Sequence, residues 1–157
     1  MNTTAILAVA AIGFAVSAVS GYFLIPYLHK LHFGQTILDI GPSWHKNKQG
    51  TPTMGGFMFI FAILIASVVG YFMLSQGKND LWHGTQVEIA RYWGTILLAV
   101  SFGIIGFVDD YIKVVKKRNL GLTAIQKLIM QFVAAGLYML ILYTAGDTST
   151  VLIIPFL

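Results

Sequence analysis

Long stretches without a charged residue or histidine alternate with short polar segments along this chain. There are four such stretches: Thr3 to Leu28 with 26 residues, Met54 to Leu74 with 21, Tyr92 to Val108 with 17 and Leu128 to Ala145 with 18. Because a helix rises about 1.5 Å per residue, roughly 17 to 25 apolar residues cross the hydrocarbon core of a bilayer. The pattern predicts an all-α, polytopic integral membrane protein with four transmembrane helices, forming part of one transmembrane domain over residues 1–157.

Composition supports this class of protein. Hydrophobic residues make up 57% of the 157 residues and charged residues 10%, and the mean hydropathy is +0.77. Such a chain lacks the polar surface of a soluble enzyme or of a nucleic-acid-binding module, and we expect no nucleic acid among its partners. With no cysteine, it has neither a disulfide framework nor a thiolate metal site.

The basic residues predict the orientation of the helices. The segments 29–53 and 109–127 carry eight Lys and Arg residues, whereas the segment between the second and third helices carries two. By the positive-inside rule, these two segments are cytoplasmic loops and the N-terminus lies outside. The apolar run Val151 to Leu157 is too short to span a bilayer as a helix. We expect either an external strand of a β-hairpin that lacks its partner, or a chain that has been cut before further segments.

Small residues recur at every fourth position in the first two helices: Gly13, Ser17 and Gly21, then Ala62, Ala66 and Gly70. Such stripes allow helices to approach closely. Glycine and alanine are also common in membrane helices generally, so the pattern leaves both interpretations open.

Two adjacent acids, Asp109 and Asp110, follow directly on the third apolar stretch. Acids at a membrane border are costly unless they are hydrated, paired or bound to a cation. In a continuous helix, Lys113 and Lys117 would share a face with Asp109. Carboxylates beside ammonium groups suit a Mg²⁺–nucleotide or pyrophosphate ligand. The alternative is a set of ordinary ion pairs on a solvated helix end.

The segment from His45 to Gly56 is basic and glycine-rich and leads into the second helix. Thr51 or Thr53 could cap that helix and leave free N–H groups facing the cytoplasm, where Lys46 and Lys48 add positive charge. These features match an anion site, and equally a helix cap flanked by lysines at the membrane surface.

Together, the two segments resemble a known family. The motifs are Lys48-x-Gly50-Thr51-Pro52-Thr53-Met54-Gly55-Gly56 and Asp109-Asp110-x-x-Lys113. In this order and at these helix ends, they resemble the phospho-N-acetylmuramoyl-pentapeptide transferases. These enzymes belong to the polyprenyl-phosphate N-acetylhexosamine-1-phosphate transferase superfamily. The Gly-Thr-Pro-Thr-Met-Gly-Gly run favours this branch over the UDP-N-acetylglucosamine:polyprenyl-phosphate phosphotransferases.

The resemblance implies an activity and its partners. The activity is the Mg²⁺-dependent transfer of phospho-MurNAc-pentapeptide to a lipid, giving lipid I and UMP for peptidoglycan synthesis. The partners are the two substrates, UDP-MurNAc-pentapeptide and undecaprenyl phosphate. The resemblance also implies a homodimer that contacts membrane lipid. Each copy would be a multi-pass protein of the bacterial inner (plasma) membrane, with its active site on the cytoplasmic side. By motif, Asp109 would orient or deprotonate the lipid phosphate, and Asp110 would ligate the metal–diphosphate assembly. Four further residues would bind substrate: Lys48, Thr53, Lys113 and Lys117.

The sequence also departs from the family pattern. Members have further transmembrane helices, and later cytoplasmic loops that supply a third aspartate as the principal metal ligand, an Asn/Asp/Gly-rich motif and a His-rich motif. None occurs in these residues, so we expect an N-terminal portion with half of the active site that is inactive alone. A non-enzymatic small helical membrane subunit is the alternative, but it would not require the Thr-Pro-Thr-Met-Gly-Gly cap.

The predicted orientation can be tested by cysteine labelling, because the chain has no native cysteine. Single cysteines at Lys48 and Lys117 should react with a membrane-impermeant maleimide only in inside-out vesicles. One at Gln76 should react in intact cells or right-side-out vesicles. The opposite labelling pattern would overturn the topology.

Overall fold

A computed structural model describes residues 3–30, 54–76, 82–116 and 120–149 of the protein. Within these ranges the chain forms helices and no strand, which confirms the all-α prediction. The helices are α1 (Thr3–Lys30), α2 (Phe57–Gln76), α3 (Gln86–Val115) and α4 (Ala124–Thr144). Each is long and apolar enough to cross a membrane. The predicted external strand at residues 151–157 lies outside the described residues.

Helix α3 extends beyond its charge-free stretch at both ends. At its start, the Thr85 hydroxyl accepts a hydrogen bond from the Glu88 N–H at 3.2 Å, and the Glu88 carboxylate accepts one from the Thr85 N–H at 3.0 Å. This capping box satisfies backbone donors outside the apolar region. At the other end, Asp109 and Asp110 are helical residues. A charge-free stretch indicates the part of a helix that lies in lipid, and the backbone hydrogen bonds of the helix can continue beyond it.

Helices α1 and α2 pack closely along their stripes of small residues. A Cβ atom added at Gly13 would lie 3.5 Å from the Ala66 Cβ, and one added at Gly70 would lie 3.6 Å from a Val9 methyl group. One added at Gly21 would meet the Met58 sulfur at 3.0 Å. Contact positions that rise along α1 fall along α2, so the helices are antiparallel. The contact interpretation of the stripes is therefore confirmed.

Helix α3 contacts α2 at several levels. Near one end, the Tyr92 hydroxyl donates a hydrogen bond to the Ser67 carbonyl oxygen at 2.7 Å. Near the other end, the rings of Phe57 and Phe107 meet with their centroids 4.9 Å apart. Between these levels Gly103 faces Ile60. These contacts bring the start of α2 beside the end of α3.

Helices α3 and α4 are also antiparallel, and an ion pair joins them at the end remote from Asp109. The Arg91 guanidinium donates to both carboxylate oxygens of Asp147, at 2.6 and 2.8 Å. This hydrogen bonding lowers the pKa of the Asp147 carboxyl from its usual value. Near the same level, Gly94 faces the Tyr138 ring. The α3–α4 hairpin is therefore tied beyond the last turn of α4.

The α1–α2 interface predicts the effect of filling one glycine. Gly70→Leu would push a branched side chain against Val9 of α1 and the Tyr92 hydroxyl of α3. Overpacking of this kind costs about 1–3 kcal/mol, so we expect lower stability in detergent, measured by thermal or denaturant unfolding. Gly136→Leu is the matched control, since a Cβ there meets no described atom within 4 Å. Equal stability of both variants would contradict the packing.

Candidate functional site

Asp109 is the only buried charged residue in the described part of the chain, with 7% of its surface exposed. One carboxylate oxygen lies 2.7 Å from the Lys113 ammonium group. The other lies 3.0 Å from the Lys127 ammonium group and accepts a hydrogen bond from the Leu122 N–H at 2.7 Å. A buried charge is tolerated when it is paired and hydrogen-bonded in this way. Its partners come from α3, from the turn that follows and from α4.

Asp110 shares one of these partners. Its carboxylate lies 3.0 Å from the Lys113 ammonium group, which therefore bridges the two acids. About a third of the Asp110 side chain is exposed, against about a tenth of the Asp109 side chain. We call Asp109, Asp110, Lys113 and Lys127 the carboxylate cluster. Its two negative and two positive charges balance, and Asp110 is its more accessible acid.

The turn between α3 and α4 places Lys127 at this cluster. A Cβ atom at Gly121 would lie 2.6 Å from the Asp109 carbonyl oxygen, closer than any side chain could come. Only glycine lets the turn pass this near to Asp109. Thr123 then caps α4, accepting a hydrogen bond from the Gln126 N–H at 3.2 Å while Gln126 accepts one from the Thr123 N–H at 2.9 Å. Lys127 follows one turn later and faces Asp109.

A pocket of about 390 Å³ adjoins the carboxylate cluster between α2 and α3. Its polar lining is formed by Asp109 and Asp110. Met54 has a left-handed φ of 69° and is buried, directly before the first turn of α2. The remaining lining residues are apolar or glycine: Met54, Gly56, Phe57, Phe59, Ile60, Gly103, Gly106 and Phe107. The pocket is thus polar at one end and apolar along its walls.

The structure brings together part of the site predicted from sequence. Asp109, Asp110 and Lys113 meet as the motif suggested. The end of the glycine-rich segment also reaches the acids, since Met54 and Gly56 line the same pocket. Three other predicted site residues lie outside the described residues: Lys48, Thr53 and Lys117. Their positions stay predictions.

Lys127 was not predicted as a site residue. In the sequence, it is one of the basic residues that indicate orientation. It lies on a different helix from Asp109, and no helical periodicity connects them. A glycine two residues before the capping Thr123 was the available signal, because Gly121 indicates a close backbone approach in the turn. The identity of the residue approached could not be read from it.

Known proteins match this chain over nearly its whole length. Residues 48–60 match the phospho-N-acetylmuramoyl-pentapeptide-transferase signature 1. The Oceanobacillus iheyensis phospho-N-acetylmuramoyl-pentapeptide-transferase is 39% identical over 155 residues, 99% of this chain and 44% of that protein. Its Listeria monocytogenes counterpart is 42% identical over 146 residues, 93% of this chain and 41% of that protein. The chain is thus similar to the N-terminal portion of phospho-N-acetylmuramoyl-pentapeptide-transferases. No solved structure matches it.

The transferase signature and the acid pair converge in space. The signature ends at Ile60, and its last seven residues include Met54, Gly56 and Phe57, which line the pocket beside Asp109 and Asp110. The chain spans less than half the length of the curated transferases it matches, 44% and 41% in the two cases above. Within the described residues, no group of three or more His, Cys, Asp or Glu side chains is placed to hold a metal ion.

The glycine turn generates a test of this geometry. Gly121→Ala should force the turn away from Asp109 and break the hydrogen bond from the Leu122 N–H. A hydrogen bond to a charged group is worth about 1.5–3 kcal/mol, so protection of this amide should fall about tenfold or more. Hydrogen–deuterium exchange with peptide-level mass spectrometry in nanodiscs measures it. Gly136→Ala is the matched control, and unchanged exchange in Gly121→Ala would refute the close approach.

Proposed function

We propose that this chain forms part of a phospho-N-acetylmuramoyl-pentapeptide transferase and contributes the acceptor side of its active site. The observation that carries this proposal is the convergence of the family signature with the carboxylate cluster on one pocket. The reaction joins an oxygen of undecaprenyl phosphate to the sugar-linked phosphorus of UDP-MurNAc-pentapeptide. The bond from that phosphorus to the bridging oxygen breaks, and UMP leaves with the bonding electrons.

The charges of the cluster suit this reaction. A lipid phosphate that approaches a diphosphate brings several negative charges together, and fixed cations stabilise them most in a site of low dielectric constant. Lys113 and Lys127 supply two such cations, each within 3.0 Å of Asp109. Because Asp109 holds both ammonium groups in place, we assign it the role of orienting the acceptor phosphate through them. Lys48, Thr53 and Lys117 would add phosphate contacts by motif.

Asp110 is the better candidate for a metal ligand. Both carboxylate oxygens of Asp109 already accept contacts from lysines or a backbone N–H, whereas Asp110 contacts Lys113 through one oxygen, Oδ1. Mg²⁺ prefers one or two carboxylates together with phosphate oxygens, so the exposed carboxylate of Asp110 fits it. When bound, the ion would neutralise charge on the diphosphate. The chain's own residues then orient the acceptor phosphate.

Location follows from the same assignment. The four helices make this an integral membrane protein. We propose that it lies in the bacterial plasma membrane with the carboxylate cluster at the cytoplasmic face, because a UDP-linked substrate is made and supplied in the cytoplasm. The positive-inside rule gives the same side for the Asp109 end of α3. The homodimer implied by the family resemblance stays a prediction.

The test combines this chain with the portion of a relative that the chain does not cover. The chain is co-expressed with the part of the Listeria monocytogenes transferase that it does not cover, and UMP release is measured with UDP-MurNAc-pentapeptide and undecaprenyl phosphate. We expect UMP release from the combined protein and none from the chain alone. Asp109→Asn and Asp110→Asn should each lower kcat about 100- to 1,000-fold, the usual loss when a charge-stabilising group is removed.

Two matched variants control this experiment. Asp147→Asn removes an acid from the opposite end of the α3–α4 hairpin, and Lys116→Gln removes an exposed lysine at the end of α3. Both should keep near-normal turnover if the carboxylate cluster is the reacting site. Near-normal turnover in both Asp109→Asn and Asp110→Asn would contradict the assignment.

A further inference from the structure

A pocket of about 460 Å³ lies at the end of the helices remote from the carboxylate cluster. Arg91, one of its lining residues, precedes Asp109 by 18 residues, about 27 Å along α3. That distance is close to the thickness of a hydrocarbon core, about 30 Å, so the pocket lies at the opposite membrane surface. We call it the arginine pocket. The polar and aromatic residues of its lining are Ser67, Trp82, Glu88, Arg91, Tyr92 and Thr95.

The Arg91 guanidinium is held in place by Asp147 and keeps donors for a ligand. Its Nε and Nη2 atoms donate to the two Asp147 carboxylate oxygens, at 2.6 and 2.8 Å. A guanidinium group has five N–H donors in a planar fork, and the two Nη1 donors have no acceptor among the described residues. The Arg91 side chain is 53% exposed, against 8% for Asp147. Arg91 therefore presents an oriented cation to the arginine pocket, in a geometry that suits a phosphate.

Glu88 supplies a negative charge next to this cation. Its Oε2 atom accepts hydrogen bonds from the Thr85 and His83 N–H groups, both at 3.0 Å, whereas its Oε1 atom lies 3.6 Å from the His83 Nδ1 atom. Glu88 is three residues before Arg91, and such residues on a helix have Cβ atoms about 5–6 Å apart. The two carboxylates of Glu88 and Asp147 exceed the single positive charge of Arg91. The pocket therefore favours a ligand that carries a cation as well as a phosphate.

An apolar groove of about 500 Å³ adjoins the arginine pocket, since both are lined by Ser67 and Tyr92. The Tyr92 hydroxyl donates a hydrogen bond to the Ser67 carbonyl oxygen at 2.7 Å, so these two residues form a fixed boundary between the cavities. From Ser67 the groove extends to Phe59, eight residues earlier on α2 and about 12 Å further into the membrane-spanning region. We call it the apolar groove. Its walls include residues of α1 and α2 such as Val9, Phe14, Ala62 and Ile63.

We propose that the arginine pocket and the apolar groove together bind one phospholipid of the ethanolamine class, from the membrane leaflet opposite to the carboxylate cluster. The phosphate lies on the Arg91 guanidinium, the ammonium group lies between Glu88 and the Trp82 ring, and one acyl chain lies in the apolar groove. This site is separate from the carboxylate cluster and does not depend on the proposed function.

The choice of headgroup follows from the charges of the arginine pocket. In an ethanolamine phospholipid, two carbon atoms separate the ammonium group from the phosphate ester, a spacing that suits an acid and a base three residues apart on one helix face. The ammonium group can donate to Glu88 and contact the Trp82 ring as a cation–π pair. A glycerol headgroup offers no cation to Glu88, and its lipid would bring a net negative charge beside two carboxylates.

The apolar groove favours a lipid over a soluble phosphoethanolamine. A phospholipid whose phosphate is held at Arg91 extends its acyl chains from the surface into the membrane-spanning region, which is the direction of the groove from Ser67 to Phe59. A soluble compound with the same headgroup would contact the arginine pocket alone. The two sources of the headgroup therefore differ in the contacts that they make.

Lipid binding is measured by native mass spectrometry of the delipidated chain in detergent. The probes are dioleoylphosphatidylethanolamine, dioleoylphosphatidylglycerol and soluble glycerophosphoethanolamine, each in a separate titration. We expect the ethanolamine lipid to bind about tenfold more tightly than the glycerol lipid, equivalent to about 1.4 kcal/mol, and more tightly than the soluble compound. Equal affinity for the two lipids would overturn the headgroup assignment. Equal affinity for the ethanolamine lipid and the soluble compound would overturn the role of the apolar groove.

Two variants test the roles of the charged residues in the same titrations. Glu88→Gln keeps an oxygen that can accept from the Thr85 N–H, so the cap of α3 is retained while the charge is removed. It should lower the affinity for the ethanolamine lipid about tenfold and not lower the affinity for the glycerol lipid. Arg91→Gln should lower the affinity for both lipids about tenfold, because both carry the phosphate.

Two matched controls separate binding from structure. Asp147→Asn breaks the same ion pair as Arg91→Gln but keeps the guanidinium, so it should retain most of the affinity for both lipids. Lys116→Gln removes a basic residue at the opposite end of α3 and should change neither affinity. Equal losses in Asp147→Asn and Arg91→Gln would overturn the proposal. If Arg91→Gln unfolds at a lower temperature than Asp147→Asn, Glu88→Gln decides, and an unchanged preference between the two lipids in that variant would refute the site.

Discussion

The buried carboxylate of Asp109 is the constraint on which the site geometry depends. Asp109 has 7% of its surface exposed, so its carboxylate needs compensating partners, and it obtains them from Lys113 on its own helix, from the Leu122 N–H and from Lys127 on α4. Removing one partner of such a charge generally destabilises a protein far more than a surface ion pair would suggest. The requirement for charge compensation therefore fixes the turn and the start of α4 against the end of α3.

A second ion pair acts on the same two helices at their opposite end. Arg91 and Asp109 are separated by 18 residues along α3, about 27 Å of helix. Asp147, the partner of Arg91, follows the end of α4, whereas Lys127, a partner of Asp109, lies near the beginning of α4. Polar contacts thus hold both ends of an apolar hairpin. This arrangement suits a membrane, because charges are stable at its two surfaces and apolar packing suffices between them.

Glycines serve different physical purposes in this chain. Gly13 and Gly70 permit close packing between helices, and Gly121 permits the turn to pass against the Asp109 backbone. A Cβ atom at Gly106 would meet no described atom within 4 Å, so this glycine leaves space beside the carboxylate cluster. The same residue type therefore permits close contact at some positions and leaves open space at another. Sequence patterns of small residues do not separate these roles, because the separation depends on what lies opposite each glycine.

The sequence by itself determined the helical membrane architecture, the acid pair with Lys113, and the resemblance to the transferase family. These follow from local rules, since the length of an apolar stretch and the spacing of residues on one helix require no knowledge of distant contacts. Tertiary structure decided that the two small-residue stripes meet, that the end of the signature reaches the acids, and that Lys127 joins them. It also extended α3 past Asp110. The first three depend on groups far apart in the chain, brought together by antiparallel packing and by the charge of a carboxylate that is largely shielded from water, whereas the longer α3 depends on its own backbone hydrogen bonds.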